Sequence, residues 1–271
     1  MSGPCVALGT VTTEAACLDT RPVRNTTRQQ LQSAYILHQR PYRDTSVLLE
    51  VFSQDHGRLG VVAKGVRRRR NPRQALLQPF TPLLLSWSGR GELMTLLDVE
   101  SQASGYLLQG SVLMSGFYLN ELLLRLLQRQ DPHSRLFLHY DRTLTRLADM
   151  NGQAQRAELP VALRIFEKYL LEEIGYGLML DCDAEGEVLN ADRLYRYQVG
   201  VGLVPLPDNS RVGVEVLRGA HLCALARDQL DEVSARGVKR LLRAAIDQHL
   251  GGKPLQSRKM LLEMQRGVAS S

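Results

Sequence analysis

The chain has 271 residues and a formal net charge of +6, and apolar side chains make up 44% of it, the proportion of an ordinary globular protein rather than a disordered one. That length accommodates two domains with a core each, and no apolar run of about 18 residues is present to form a membrane-spanning helix. The four cysteines, Cys5, Cys17, Cys182 and Cys223, are scattered with no Cys-x-x-Cys pair, which argues against a disulfide framework or a four-thiolate zinc site and points to a reducing, cytoplasmic compartment.

Residues 1–30 combine scattered Thr, Ala and Gly without a basic start and compact apolar stretch, so they read as a weakly ordered extension and not as a secretory signal. From Ala34 to Glu100 the pattern is that of short strands. Tyr35-Ile36-Leu37, Ser46 to Phe52, Leu59 to Ala63, Leu83 to Trp87 and Leu93 to Val99 are apolar runs separated by turn residues, among them Asp55-His56-Gly57 and Gly89-Arg90-Gly91. So many short strands in one segment predict a small closed barrel over residues 31–105, of the OB-fold or SH3-like kind.

This segment holds the most pronounced charge feature. Between His56 and Gly91 stand eight arginines and lysines and no carboxylate. Their centre is Lys64-Gly65-Val66-Arg67-Arg68-Arg69-Arg70-Asn71-Pro72-Arg73, which joins two strand patterns. Unpaired guanidiniums stay ionised and are costly to desolvate, so the run belongs on a solvated loop whose natural partner is a polyanion, nucleic-acid phosphate first. The candidate DNA contacts are Lys64, Arg67, Arg68, Arg69, Arg70 and Arg73, with Arg40, Arg43, Arg58 and Arg90 further out. Tyr35, Tyr42, Phe52 and Trp87 are the large rings of the barrel segment, and most are expected in its core, so a broad base-stacking platform is not expected.

After Gly105 the period becomes helical. Val112, Leu113, Phe117, Leu123, Leu124 and Leu127 recur at steps of three and four until Asp131-Pro132. A second helix passes through Leu136, Tyr140, Leu144 and Leu147, and a third runs between Pro160 and Gly175. Residues 176–214 lose the period and read as a small irregular insertion. Two further helices are expected to follow, the last from Ser234 to Leu250, with Lys253, Arg258 and Lys259 as a second basic group behind it and residues 263–271 as a tail. The fold expected is therefore α+β: a five-stranded N-terminal barrel followed by a helical domain over residues 106–262.

Five segments in order, Ala34 to Ser46, Gly57 to Gly65, Leu77 to Leu83, Tyr118 to Leu123 and Leu250 to Arg258, together resemble the bacterial RecO family of recombination mediators. The resemblance implies an OB-fold barrel, binding of single- and double-stranded DNA, annealing of complementary strands, and work with RecR that lets RecA replace single-strand-binding protein. It implies a cytoplasmic, nucleoid-associated protein that is not an enzyme, and no GxxxxGK[ST], HExxH or GxSxG motif stands against that. An adaptor that docks on single-strand-binding protein with incidental DNA affinity, or an RNA-binding OB protein, are the competing readings.

Many members of the family carry a zinc knuckle after a Gly-Tyr-Gly turn. This chain keeps Gly175-Tyr176-Gly177 but has Cys182 alone there, so no metal or other cofactor is expected. The acidic stretch Asp181 to Asp192 approaches a calcium loop in spacing but departs from it at two ligand positions, and is read as a solvated turn. Some relatives bind the acidic, Phe-terminated tail of single-strand-binding protein on the helical domain. Such a ligand requires an apolar slot with a cation at its rim. Arg164 matches the arginine of that motif, and Phe117 and Leu124 are candidates to wall the slot.

Overall fold

A computed structural model describes residues 27–68, 71–150, 157–207, 213 and 216–269. Five strands form a closed barrel in the order β1-β2-β3-β5-β4: β1 (Thr27–Tyr42), β2 (Ser46–Ser53), β3 (Gly57–Ala63), β4 (Leu83–Gly89) and β5 (Leu93–Ser101). A one-turn helix, α1 (Arg73–Leu76), lies between β3 and β4. The first strand is far longer than Tyr35-Ile36-Leu37 and begins at Thr27, inside the stretch read as an extension. Its early half pairs with β4 and its later half with β2, with register shifts between Gln29 and Gln32 and between Ile36 and His38. Such shifts bend a strand, and the bend lets one strand close the barrel.

The two-residue period of β1 and β2 sorts side chains between two cores. Ala34, Ile36, Leu49 and Val51 fill the barrel with Val61, Leu83, Leu85 and Trp87. Tyr35, Leu37 and Phe52 point the other way, into the core of the helical domain. There Tyr35 meets Phe137 and Tyr140 with ring centroids 5.5 and 5.1 Å apart, and Phe52 meets Phe137 at 5.4 Å.

The helical domain comprises α2 (Gly110–Leu126), α3 (Ser134–Asp149), α4 (Leu159–Glu173), α5 (Gly219–Ala226), α6 (Glu232–His249) and α7 (Gln256–Ala269). The stretch read as an irregular insertion over 176–214 instead carries two strands, β6 (Leu194–Gln198) and β7 (Gly202–Pro205), which join β8 (Val216–Arg218) just beyond it in a three-stranded antiparallel sheet of order β7-β6-β8. Helix α7 corrects the expectation that the helices end at Leu250 and that 263–271 is a tail. Gly251-Gly252-Lys253-Pro254 reads as a stop, and it does end α6, but Glu121 on α2 restarts the helix. Its carboxylate accepts the backbone N–H groups of Gln256 and Ser257, both at 2.8 Å, a cap supplied from distant sequence. Among the described residues no helix is long and apolar enough to cross a membrane.

Polar contacts bolt the two domains together. Asn120 donates to the Leu37 carbonyl at 2.9 Å and accepts from Tyr140, and the Tyr35 hydroxyl donates to Asp141. Ser134 donates to the Gln54 carbonyl at 2.9 Å. At the β2–β3 turn, Gly57 has φ +64°, and a Cβ there would stand 1.8 Å from the Asp131 carbonyl oxygen. Glycine is required at that position for both reasons.

Candidate functional site

The basic loop leaves β3 at Ala63 and is pinned at both ends by barrel-core side chains, Val66 and Leu77. Arg67 donates its backbone N–H to the Thr45 carbonyl at 2.9 Å, which ties the loop to the β1–β2 turn. The Asn71 amide donates to the Gly65 carbonyl at 3.1 Å and its oxygen accepts from the Arg73 N–H at 3.0 Å. Asn71 thus organises the backbone, while the side chains of Lys64, Arg67 and Arg68 are exposed. Arg69 and Arg70 lie outside the described residues.

Lys64 and Arg68 line a cleft of about 440 Å³ with Tyr42, Arg43, Thr45, Val62 and Thr95. The Arg43 guanidinium lies 5.3 Å from the centre of the Tyr42 ring. Arg40 is exposed near the end of β1, two residues before Tyr42. The structure therefore brings together Lys64, Arg67, Arg68 and Arg43, with Arg40 close by in the chain.

Three of the candidate cations stand elsewhere. Arg58 is turned into the domain junction, where its guanidinium donates to the Leu124 carbonyl at 2.7 Å and lies 3.8 Å from Glu50. Burial lowers its pKa below the usual guanidinium range, with Glu50 opposing that effect. Arg73 is exposed but paired with Asp98 at 2.9 Å and bound to the Leu97 carbonyl at 3.1 Å. A carboxylate absent from the local sequence arrives from β5. Arg90 stands in the β4–β5 turn, which lies beside the start of β3, and lines a separate cleft with His56, Trp87 and Gln130. That end is about 20 Å, the length of β3, from the loop. Trp87 is 1% exposed and packs edge-on against His56 in the barrel, so it offers no face to a base.

A second site lies among α2, α4, α6 and α7. It is a cavity of about 310 Å³ with Met114, Leu159, Leu163 and Leu261 as apolar wall and Arg164, Lys239, Arg243 and Arg258 around it. Arg164 and Glu167 are 5% and 1% exposed and form a pair at 2.6 Å. The Tyr118 hydroxyl donates to the same Glu167 oxygen at 2.7 Å, and burial, with Glu167 next, pushes its pKa up. Arg258 lies 3.4 Å from that hydroxyl and holds Asp247 at 2.6 Å. The other Glu167 oxygen and Arg164 Nε are buried without a partner. Burial, reinforced by Arg164 and Arg243, lowers the pKa of the Lys239 ammonium. One carboxylate, Glu167, among five cations, Arg236 included, leaves the cavity lining net positive, so it suits a small apolar group attached to an anion.

Arg164 therefore lines this cavity as a buried member of an ion pair and not as a free guanidinium at its rim. Phe117 and Leu124 are not part of this cavity. Phe117 packs edge-on against Phe80 at 5.2 Å, toward the barrel, and Leu124 joins the shared core and receives Arg58 on its carbonyl. At about 100° per residue, Phe117 and Leu124 lie on a different face of α2 from Ser111, Met114 and Tyr118. Lys239 and Arg243 escaped the sequence reading, although their four-residue spacing on a helix already placed them on one face.

Among the described residues no three His, Cys, Asp or Glu side chains are grouped to hold a metal ion. In the acidic stretch the Asp183 carboxylate instead accepts the backbone N–H groups of Glu185 and Glu187, at 2.9 and 3.0 Å, and closes a turn.

A five-stranded OB-fold barrel with an exposed cationic loop, welded to a helical domain with a cation-rimmed slot, defines a class of two-domain OB-fold proteins. Family models described as recombination protein O N terminal and recombination protein O C terminal match residues 27–104 and 108–259. Proteins named DNA repair protein RecO are similar over most of the chain. One from Nitrosococcus oceani is 48% identical over 241 residues, covering 88% of this chain and 95% of the relative. Another from Methylococcus capsulatus is 48% identical over 235 residues, covering 86% and 93%. A third from Coxiella burnetii is 43% identical over 240 residues, covering 87% and 99%. The chain belongs to the RecO family.

Proposed function

We propose that this protein is a non-enzymatic mediator of DNA repair and homologous recombination. It binds single- and double-stranded DNA through the barrel loop, anneals complementary strands, and works with RecR to let RecA replace single-strand-binding protein. The observation that carries this reading is the exposed cluster of Lys64, Arg67, Arg68 and Arg43 on an OB barrel, in a family whose relatives are named for DNA repair. Such a cluster neutralises phosphate and releases counterions without reading sequence, so binding weakens steeply with salt. The helical slot supports docking of the acidic, Phe-terminated tail of single-strand-binding protein: the ring enters among Met114, Leu159 and Leu163, and carboxylates meet Lys239 and Arg243. These properties fit a cytoplasmic protein working at the nucleoid.

A second reading, an adaptor with incidental DNA affinity, draws on the slot being more fully built than the loop. Annealing of bare strands and of strands coated with single-strand-binding protein separates the two. The wild-type protein anneals both. Leu163→Ala, which removes apolar wall from the slot and leaves the Arg164–Glu167 pair and the surface cations intact, anneals bare strands normally and loses roughly tenfold or more in tail affinity and most activity on coated strands. A protein that docks on the tail yet anneals neither substrate is an adaptor.

A further inference from the structure

The helical domain carries more positive charge than its slot uses. Between Arg236 and Lys259 the sequence has seven arginines and lysines and one carboxylate, Asp247. On α6, Val238, Leu241, Leu242, Ala245 and Ile246 are buried, so the helical phase turns Arg236, Lys239, Arg240 and Arg243 to the other side in a row about 10 Å long. The row continues beyond α6: Lys253 and Lys259 are exposed and line a cleft of about 500 Å³ with Arg243 and Arg258. Asp247 is taken by Arg258, and Arg236 is paired with Glu232. Lys239, Arg243, Lys253 and Lys259 make no ion pair among the described residues.

We propose that this α6–α7 face binds the phosphodiester backbone of a second nucleic-acid strand, apart from the strand held at the barrel loop. The inference rests on reading the loop as the first DNA site. Lys253 and Lys259 lie outside the lining of the slot, which places them beyond a short peptide end seated there and within reach of an extended polyanion. A row of cations at regular helical steps suits evenly repeated phosphates. No aromatic ring lines the cleft, so the contact involves no base stacking and treats single strands and duplexes alike. Two strands on one chain meet the physical requirement of annealing, which is to hold both backbones close against their mutual repulsion.

The test uses the full chain and two non-complementary oligodeoxynucleotides, one labelled with a fluorescence donor and the other with an acceptor. Wild-type protein brings both into one complex and gives energy transfer, with sedimentation showing two strands on a single chain. Lys253→Glu with Lys259→Glu keeps the affinity for the first strand within about twofold, loses the energy transfer, and slows annealing of bare strands by roughly tenfold or more. Should charge reversal unfold the domain by circular dichroism, the Lys253→Gln, Lys259→Gln variant carries the same expectation. Unchanged transfer and stoichiometry overturn the proposal. It is equally overturned if the variant loses only binding of an acidic, Phe-terminated peptide, which would assign the face to that ligand. Lys64→Glu with Arg67→Glu and Arg68→Glu provides the other arm: wild-type first-strand affinity in that variant defeats the loop reading alone, while the helical-face variant is still judged by its own transfer and stoichiometry.

Discussion

The barrel loop and the helical slot are both cationic, yet they are built in opposite ways. The loop's charges are neighbours in sequence and exposed, held in place by backbone hydrogen bonds and two buried anchors, Val66 and Leu77. The slot's charges come from α4, α6 and α7, converge in space, and surround a buried carboxylate with an apolar wall. Contiguous charge stays solvated and meets a partner without fixed geometry. Charge gathered from several helices, partly desolvated, has a shape and selects for it.

The difference predicts that equal-looking substitutions fail for different reasons. The largest effect belongs to Arg164→Ala, which strips the partner from a 1% exposed carboxylate. Leaving a buried charge uncompensated costs about 3–5 kcal/mol, so denaturant melts should show a destabilised protein, and lost docking in that variant would report on folding as much as on recognition. Arg164→Ala with Glu167→Ala should recover part of that loss. A double variant no more stable than the single one breaks the comparison.

Next comes the loop. Lys64→Glu, Arg67→Glu and Arg68→Glu together should leave the melting temperature within a degree or two, since exposed charges contribute little to stability, while removing about three phosphate contacts. The slope of log affinity against log salt for single-stranded DNA should fall by about 2. An unchanged slope moves the DNA site off the loop.

The smallest effect sharpens the contrast by excluding a third kind of site. Chelation should leave the melting temperature unchanged, because Asp183 closes its turn with backbone N–H groups and, among the described residues, no metal-binding group forms around Cys182. Elemental analysis that finds one zinc per chain would require a ligand set outside the described residues.

The barrel and most helices were legible because their signals are local: alternation, three- and four-residue steps, and turn residues between them. What escaped is non-local. Helix α7 follows a strong stop and is capped by Glu121, far away in the chain. Arg73 lies in a stretch free of carboxylates, yet Asp98 reaches it across the sheet. Arg58, equally basic on paper, is drawn into the junction by Glu50 and the Leu124 carbonyl. Phe117 and Leu124 show the limit most plainly. Both are apolar and on the right helix, but the phase that faces the slot belongs to Met114 and Tyr118, and only the positions of α4 and α6 decide which phase that is.

The shared packing of Tyr35 and Phe52 against Phe137 and Tyr140 has a consequence for ligands that carry two handles. Because the barrel and the helical domain are joined through one core and not by a flexible tether, loop and slot stand at a set separation and orientation. A coated strand caught at one of the two proposed sites would present its other handle at a local concentration set by the ligand's own linker against that fixed separation. On the function proposed above, two individually weak grips would then act as one, and the rigid junction would gauge the distance between a strand and the tail of whatever coats it.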